Sequence, residues 1–97
     1  MLFEELGEQF AISEEKYAYL CHWLKENFIP RETLNYDRVS GGLKHLFERQ
    51  PDGFYVHSEI LIQAMKDCGF QAHYLRDGHY CVFNISEKSP GVKIWLK

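Results

Sequence analysis

Leu75-Arg76-Asp77-Gly78-His79-Tyr80 decides how the second half of the chain folds. Asp77-Gly78 is the residue pair that supplies two positive-φ positions to a type I′ turn, so the flanks are predicted to fold back as a two-residue hairpin. Pairing Arg76 with His79 sets the register: Phe70 faces Ile85, Ala72 faces Phe83 and Tyr74 faces Cys81. Those six side chains form the predicted core face. Gln71, His73, Leu75, Tyr80, Val82 and Asn84 form the outer face. A slip of one residue would expose the apolar set, so one buried face specifies the register.

Upstream, Ser58 is the predicted N-cap of a helix running to Cys68, with Leu61, Ala64, Met65 and Cys68 on one side and Ile60 and Ile62 widening the stripe. Gly69 is placed for the left-handed residue that closes such a helix. Pro51-Asp52-Gly53 reads as a turn and Phe54-Tyr55-Val56 as a brief extended piece. Before them, Asn35 or Asp37 caps a helix over about 36–49, with Tyr36, Val39, Leu43, Leu46 and Phe47 on its face. Gly41-Gly42 inside it costs about 1 kcal/mol per glycine relative to alanine. Close packing of a neighbouring element, or a helix that starts at Ser40, explains the pair better than a ligand does.

Ser13, with Glu14 and Glu15 behind it, opens an earlier helix. Tyr17, Leu20, Cys21, Leu24 and Phe28 follow the helical rhythm of a buried stripe, and Pro30 ends it. Ile29–Leu34 is expected to be short and extended, an edge strand. Residues 1–12 read as an arm or short helix interrupted by Gly7. Beyond the hairpin, Ser86–Gly91 is a polar break. The alternation of Val92, Ile94 and Leu96 with Lys93, Trp95 and Lys97 predicts a short C-terminal strand or a docked tail.

Ninety-seven residues with 45% hydrophobic and 15% aromatic side chains suit one domain, residues 1–97, with a real core. The formal charge of −3 removes any whole-domain attraction to phosphate. Residues 1–30 carry six acids against two bases, whereas 31–50 carry four bases against three acids. Cys21, Cys68 and Cys81 form no CxxC pair and read as buried free thiols, which fits a reducing cytoplasm. No run approaches the length of a membrane span.

The order helix, extended piece, helix, helix, hairpin resembles the winged-helix arrangement. Helix 58–68 then occupies the recognition position and the Asp77-Gly78 hairpin is the wing. The expected fold class is thus α+β, a small winged-helix-like domain of three main helices and a C-terminal hairpin. Ser40-Gly41-Gly42-Leu43-Lys44-His45-Leu46-Phe47, Gly53-Phe54-Tyr55-Val56 and Phe83-Asn84-Ile85-Ser86 are also similar to segments of small proteins of Gram-positive phages and mobile elements. This similarity covers about residues 20–86. It implies a fold and a genomic setting, and carries no activity with it.

The leading expectation is a nucleic-acid-binding regulatory or accessory protein of a phage or mobile element; the alternative is a protein-binding inhibitor or adaptor, or a homo-oligomeric interaction protein. For DNA or RNA, helix 58–68 offers Glu59, Ile62, Gln63, Lys66 and Asp67 outward, with Gln63 suited to adenine and Lys66 to guanine or phosphate. Arg76 and His79 stand at the hairpin tip, and Arg38, Lys44, His45 and Arg49 line the preceding helix. For a protein partner, which includes a second copy of the chain, the outer hairpin residues His73, Leu75, Tyr80 and Val82 offer an apolar patch. Trp23, with Tyr19, and Trp95 are aromatic anchors. Catalysis is the third and is not expected. The five histidines make no HxxxH or HExxH spacing, Gly41-Gly42 lacks the Lys-Ser or Lys-Thr of a phosphate loop, and the register turns Cys81 inward. No metal, cofactor or small-molecule substrate is implied.

Overall fold

A computed structural model describes residues 2–96. Two 3-10 turns, Glu4–Leu6 and Glu8–Phe10, are closed by paired backbone hydrogen bonds between Leu2 and Ile12 at 2.9 and 3.2 Å. Helix α1 follows over Glu14–Asn27, and the Ser13 hydroxyl accepts from the Lys16 N–H at 3.1 Å, as its N-cap position predicts. Leu20, Leu24 and Phe28 are buried, with Tyr17 and Cys21 half-buried beside them.

Strand β1 spans the ten residues Pro30–Val39, running five residues past the end of the expected extended piece, and absorbs the first turn of the predicted helix. Its ten residues face only Val82–Ile85 of strand β3 (Cys81–Ile85), so the pairing shifts twice, between Pro30 and Asn35 and between Asn35 and Val39. Asn35 holds the bulged stretch. Its buried side-chain amide donates to the Ile85 carbonyl at 2.9 Å and to Glu87 at 2.7 Å, while its oxygen accepts from the Asp37 N–H. Asn35 and Asp37 therefore shape a strand instead of capping a helix, and Tyr36 is exposed on it.

Helix α2 starts at Ser40 and runs to Glu48, burying Leu43, Leu46 and Phe47. The buried Ser40 hydroxyl accepts from the Cys81 N–H at 2.9 Å, tying the helix start to β3. Gly41 and Gly42 are packing residues: added Cβ atoms would lie 2.7 Å from a Tyr80 ring carbon and 2.6 Å from a Trp95 ring carbon. Phe54-Tyr55-Val56 forms no strand, and the Val56 N–H donates to Glu48 instead.

Helix α3 spans Ser58–Asp67 and is capped by His57 rather than Ser58, with the His57 Nδ1 accepting from the Glu59 N–H at 3.1 Å. Ile60, Leu61, Ile62, Ala64 and Met65 are all buried, so Ile62 does not face outward. Gly69 takes φ +92, and the Phe70 N–H reaches back to Met65 to close the helix.

Strand β2, Ala72–Tyr74, pairs with β3 in the expected register, Ala72 with Phe83 and Tyr74 with Cys81. The turn between them is wider than predicted. Leu75 and Tyr80 make the last backbone contact, and among the turn residues only Gly78 has positive φ. The Asp77 carboxylate accepts from the His79 and Tyr80 N–H groups, which satisfies a four-residue turn and keeps Asp77 out of the left-handed region.

The sheet is antiparallel with order β1-β3-β2, which makes β3 the central strand. All five of its residues are buried, including Val82 and Asn84 of the supposedly outer face. Val82 lies between Val39 and His73, and Asn84 bridges the neighbours by accepting from the Gln71 N–H and donating to the Arg31 carbonyl.

The C-terminal segment is helix α4, Pro90–Trp95, not a strand. Pro90 sits in its first turn, the buried Ser89 hydroxyl accepts from the Ile29 N–H at 2.8 Å, and Gly91 lies against the Phe28 ring. The expected alternation therefore fails: Val92 is buried, while Ile94 and Leu96 are exposed; Lys97 lies outside the described residues. The result is a small α+β fold of four helices and three strands among the described residues.

Candidate functional site

The bases expected to form a phosphate-binding face are separated by their own acids. Arg38, at the end of β1, makes a two-pronged contact with Glu87: Nε to one carboxylate oxygen at 2.8 Å and a terminal nitrogen to the other at 2.6 Å. Its guanidinium lies 5.4 Å from the centre of the Trp95 ring, and its side chain is only 12% exposed. This is the fork geometry that suits arginine to carboxylates. The Glu87 carboxyl is held down at about 2, first by Arg38 and then by the Asn35 amide. One turn into α2, the Lys44 ammonium meets Glu48 at 2.8 Å and sits 4.6 Å over the Tyr55 ring. Neither cation is available to phosphate without breaking an ion pair.

Arg49 is exposed at the end of α2 and Lys66 on α3, the latter 5.8 Å over the Tyr74 ring. Arg76 and His79 are exposed at the hairpin tip. Arg49, Lys66 and Arg76 pair with no acid among the described residues, whereas His79 lies beside the Asp77 carboxylate.

Helix α3, the expected groove reader, is closed over much of its circumference. The Gln63 amide donates to Asp67 at 2.9 Å, and the Tyr17 hydroxyl of α1 donates to the same carboxylate. Tyr74 donates to Glu59 at 2.9 Å. Burial and then this Glu59 bond push the Tyr74 phenol up to about 12. The outward side chains of α3 thus serve the contacts between α1, α3 and β2.

The expected protein anchors divide. Trp23 is half-buried, edge-on to Phe47 at 5.2 Å and to Phe28 at 5.8 Å, and Tyr19 leans on Phe47 and Phe54 at 6.3 Å. Both belong to the core side of α1 instead of an interface. Val82 is fully buried, and Trp95 is half-buried between Gly42, Phe28 and Arg38. Leu75 is half-buried, while Tyr80 keeps an exposed edge beside Gly41. The most exposed aromatic rings are not among the expected anchors: Tyr55, 72% exposed, and Tyr36, 61% exposed. The alternation of β1 and the turn before α3 carry no residue pattern that would have marked them.

The three thiols are free, with Cys81 buried and Cys21 and Cys68 half-buried where α1 meets the end of α3. The Cys68 thiol donates to the Cys21 carbonyl at 3.5 Å, and burial pushes it up to about 12. Thiols held protonated in this way are poor nucleophiles. Among the described residues, no cluster of three or more His, Cys, Asp or Glu could hold a metal, and no helix is long and apolar enough to cross a membrane. No family model, curated protein or solved structure matches the chain.

Proposed function

We propose that the chain is a small winged-helix-like binding module and that its partner is a protein. The element order α1-β1-α2-α3-β2-β3 with a β1-β3-β2 sheet supports the winged-helix reading. The resemblance of residues 20–86 to small phage and mobile-element proteins supports the genomic setting. One observation carries the choice of partner: Arg38 and Lys44, the core of the basic cluster, are already neutralised by Glu87 and Glu48. Exchanging those carboxylates for phosphates would gain little electrostatic energy. By contrast, Tyr36, Tyr55 and Tyr80 present aromatic surface of the kind that anchors protein interfaces.

Nucleic acid is the second reading, favoured by the exposed Arg76 and His79 at the hairpin tip with Lys66 and Arg49. A fluorescence polarisation titration against duplex DNA, single-stranded DNA and RNA at low salt decides between them. The protein reading expects no saturable signal on any of the three. Saturable, salt-sensitive binding to one of them would overturn it.

A further inference from the structure

The N-terminal segment does not close flush against the body. Between Gln9–Ser13, the first turn of α1 and the connection into α3 it leaves an open groove of about 200 Å³. Ile12, Val56 and Ile60 make an apolar floor, each of them buried. Two donors border it. The Lys16 ammonium lies 5.4 Å over the Phe54 ring and pairs with no acid among the described residues. His57 accepts at Nδ1 from the Glu59 N–H, and Phe10 packs on its ring at 4.4 Å. A neutral imidazole that accepts at Nδ1 carries its proton at Nε2, so the free nitrogen is a donor. No Asp or Glu lines the groove, although acids outnumber bases fourteen to eleven along the chain.

From this we infer that the groove holds the C-terminal residue of a polypeptide partner, its apolar side chain against Ile12, Val56 and Ile60 and its carboxylate on Lys16 and His57. At about 200 Å³ the groove is small beside the roughly 300–1,000 Å³ of sites that enclose a drug-sized ligand, and suits one side chain with its carboxylate. An apolar floor beside two donors calls for an anion attached to a short apolar group, and a bare phosphate would leave the floor unused. Capture of a terminal carboxylate is a recurrent mode of peptide recognition. The inference rests on the protein-binding reading and narrows it to one kind of partner.

The test titrates the full chain, followed by amide resonances, with three probes: acetyl-Ala-Ala-Leu with a free carboxylate, the same peptide as its C-terminal amide, and 4-methylpentanoate. The free-acid peptide is expected to shift amides of residues 9–16 and 54–60 saturably. It should bind about tenfold or more tighter than the amide, the difference a charge-assisted contact makes. Lys16→Met, which keeps the aliphatic stem on an exposed turn, should reduce that preference by a similar factor. Equal affinity for acid and amide, or no saturable shift at all, would overturn the site. Equal affinity for the peptide acid and 4-methylpentanoate would overturn the polypeptide as its occupant. Nucleic-acid binding in the polarisation assay would remove the broader reading, while the acid-to-amide ratio would still decide the groove.

Discussion

Glu87 reaches Arg38 across 49 residues of sequence and also accepts from Asn35, so one carboxylate serves both the strand bulge and the neutralisation of a cation. Its pKa lies near 2, against an ordinary value of 4.5. A depressed carboxylate stabilises the fold fully above about pH 4.5, and that contribution is lost as pH falls towards 2. Glu87 is 44% exposed, so solvent screening keeps the contribution to about 1 kcal/mol or less. Thermal melts between pH 5 and 2 should show a shallower acid decline for Glu87→Gln than for the unaltered chain, and identical slopes would contradict the pair's role. Gly53 makes a steric prediction: a Cβ there would sit 2.1 Å from the Phe47 carbonyl oxygen, a backbone atom that cannot swing away. Gly53→Ala should cost about 1–3 kcal/mol in urea denaturation, and a neutral result would show the 50–53 turn to be misplaced.

Among the elements, the hairpin register was legible because a period of two and a single turn determine it together. The turn type was not, since the Asp77 side chain replaces backbone geometry that sequence spacing cannot reveal. Strand β1 was half-read: its bulges follow from where Asn35 finds partners on β3 and the following turn, contacts 50 and 52 residues away. Val92, Ile94 and Leu96 alternate like a strand, so of the two expectations, a strand or a docked tail, only the docked tail holds, and it docks as helix α4. The Ser89-Pro90 pair at its start was the missed signal, a residue before the helix followed by proline in the first turn. Removing the Asn35 side chain tests the strand account. Asn35→Ala leaves the Ile85 carbonyl without this buried donor, and should destabilise the fold by about 1–3 kcal/mol with faster hydrogen exchange along β3. Unchanged exchange would mean that the bulge is held by something else.

Taken as a whole molecule, the chain hides much of what looked like binding surface. Val82 is buried on the face of β3 opposite the main core cluster, between Val39 and His73, and Trp23 packs half-buried against that cluster. The Lys44–Glu48 pair was readable from its four-residue spacing on a helix, whereas Arg38–Glu87 depends on tertiary placement and had no local sign. The partner choice therefore turns on whether those two cations are occupied in solution. The most direct measurement compares the salt dependence of duplex DNA binding for the unaltered chain and for Glu48→Gln/Glu87→Gln, which frees Lys44 and Arg38. The account predicts no saturable binding by the unaltered chain at low salt and a gain in the variant, with a log–log salt slope near −2 for two phosphate contacts. Saturable, salt-sensitive binding by the unaltered chain, or no gain in the variant, would contradict it.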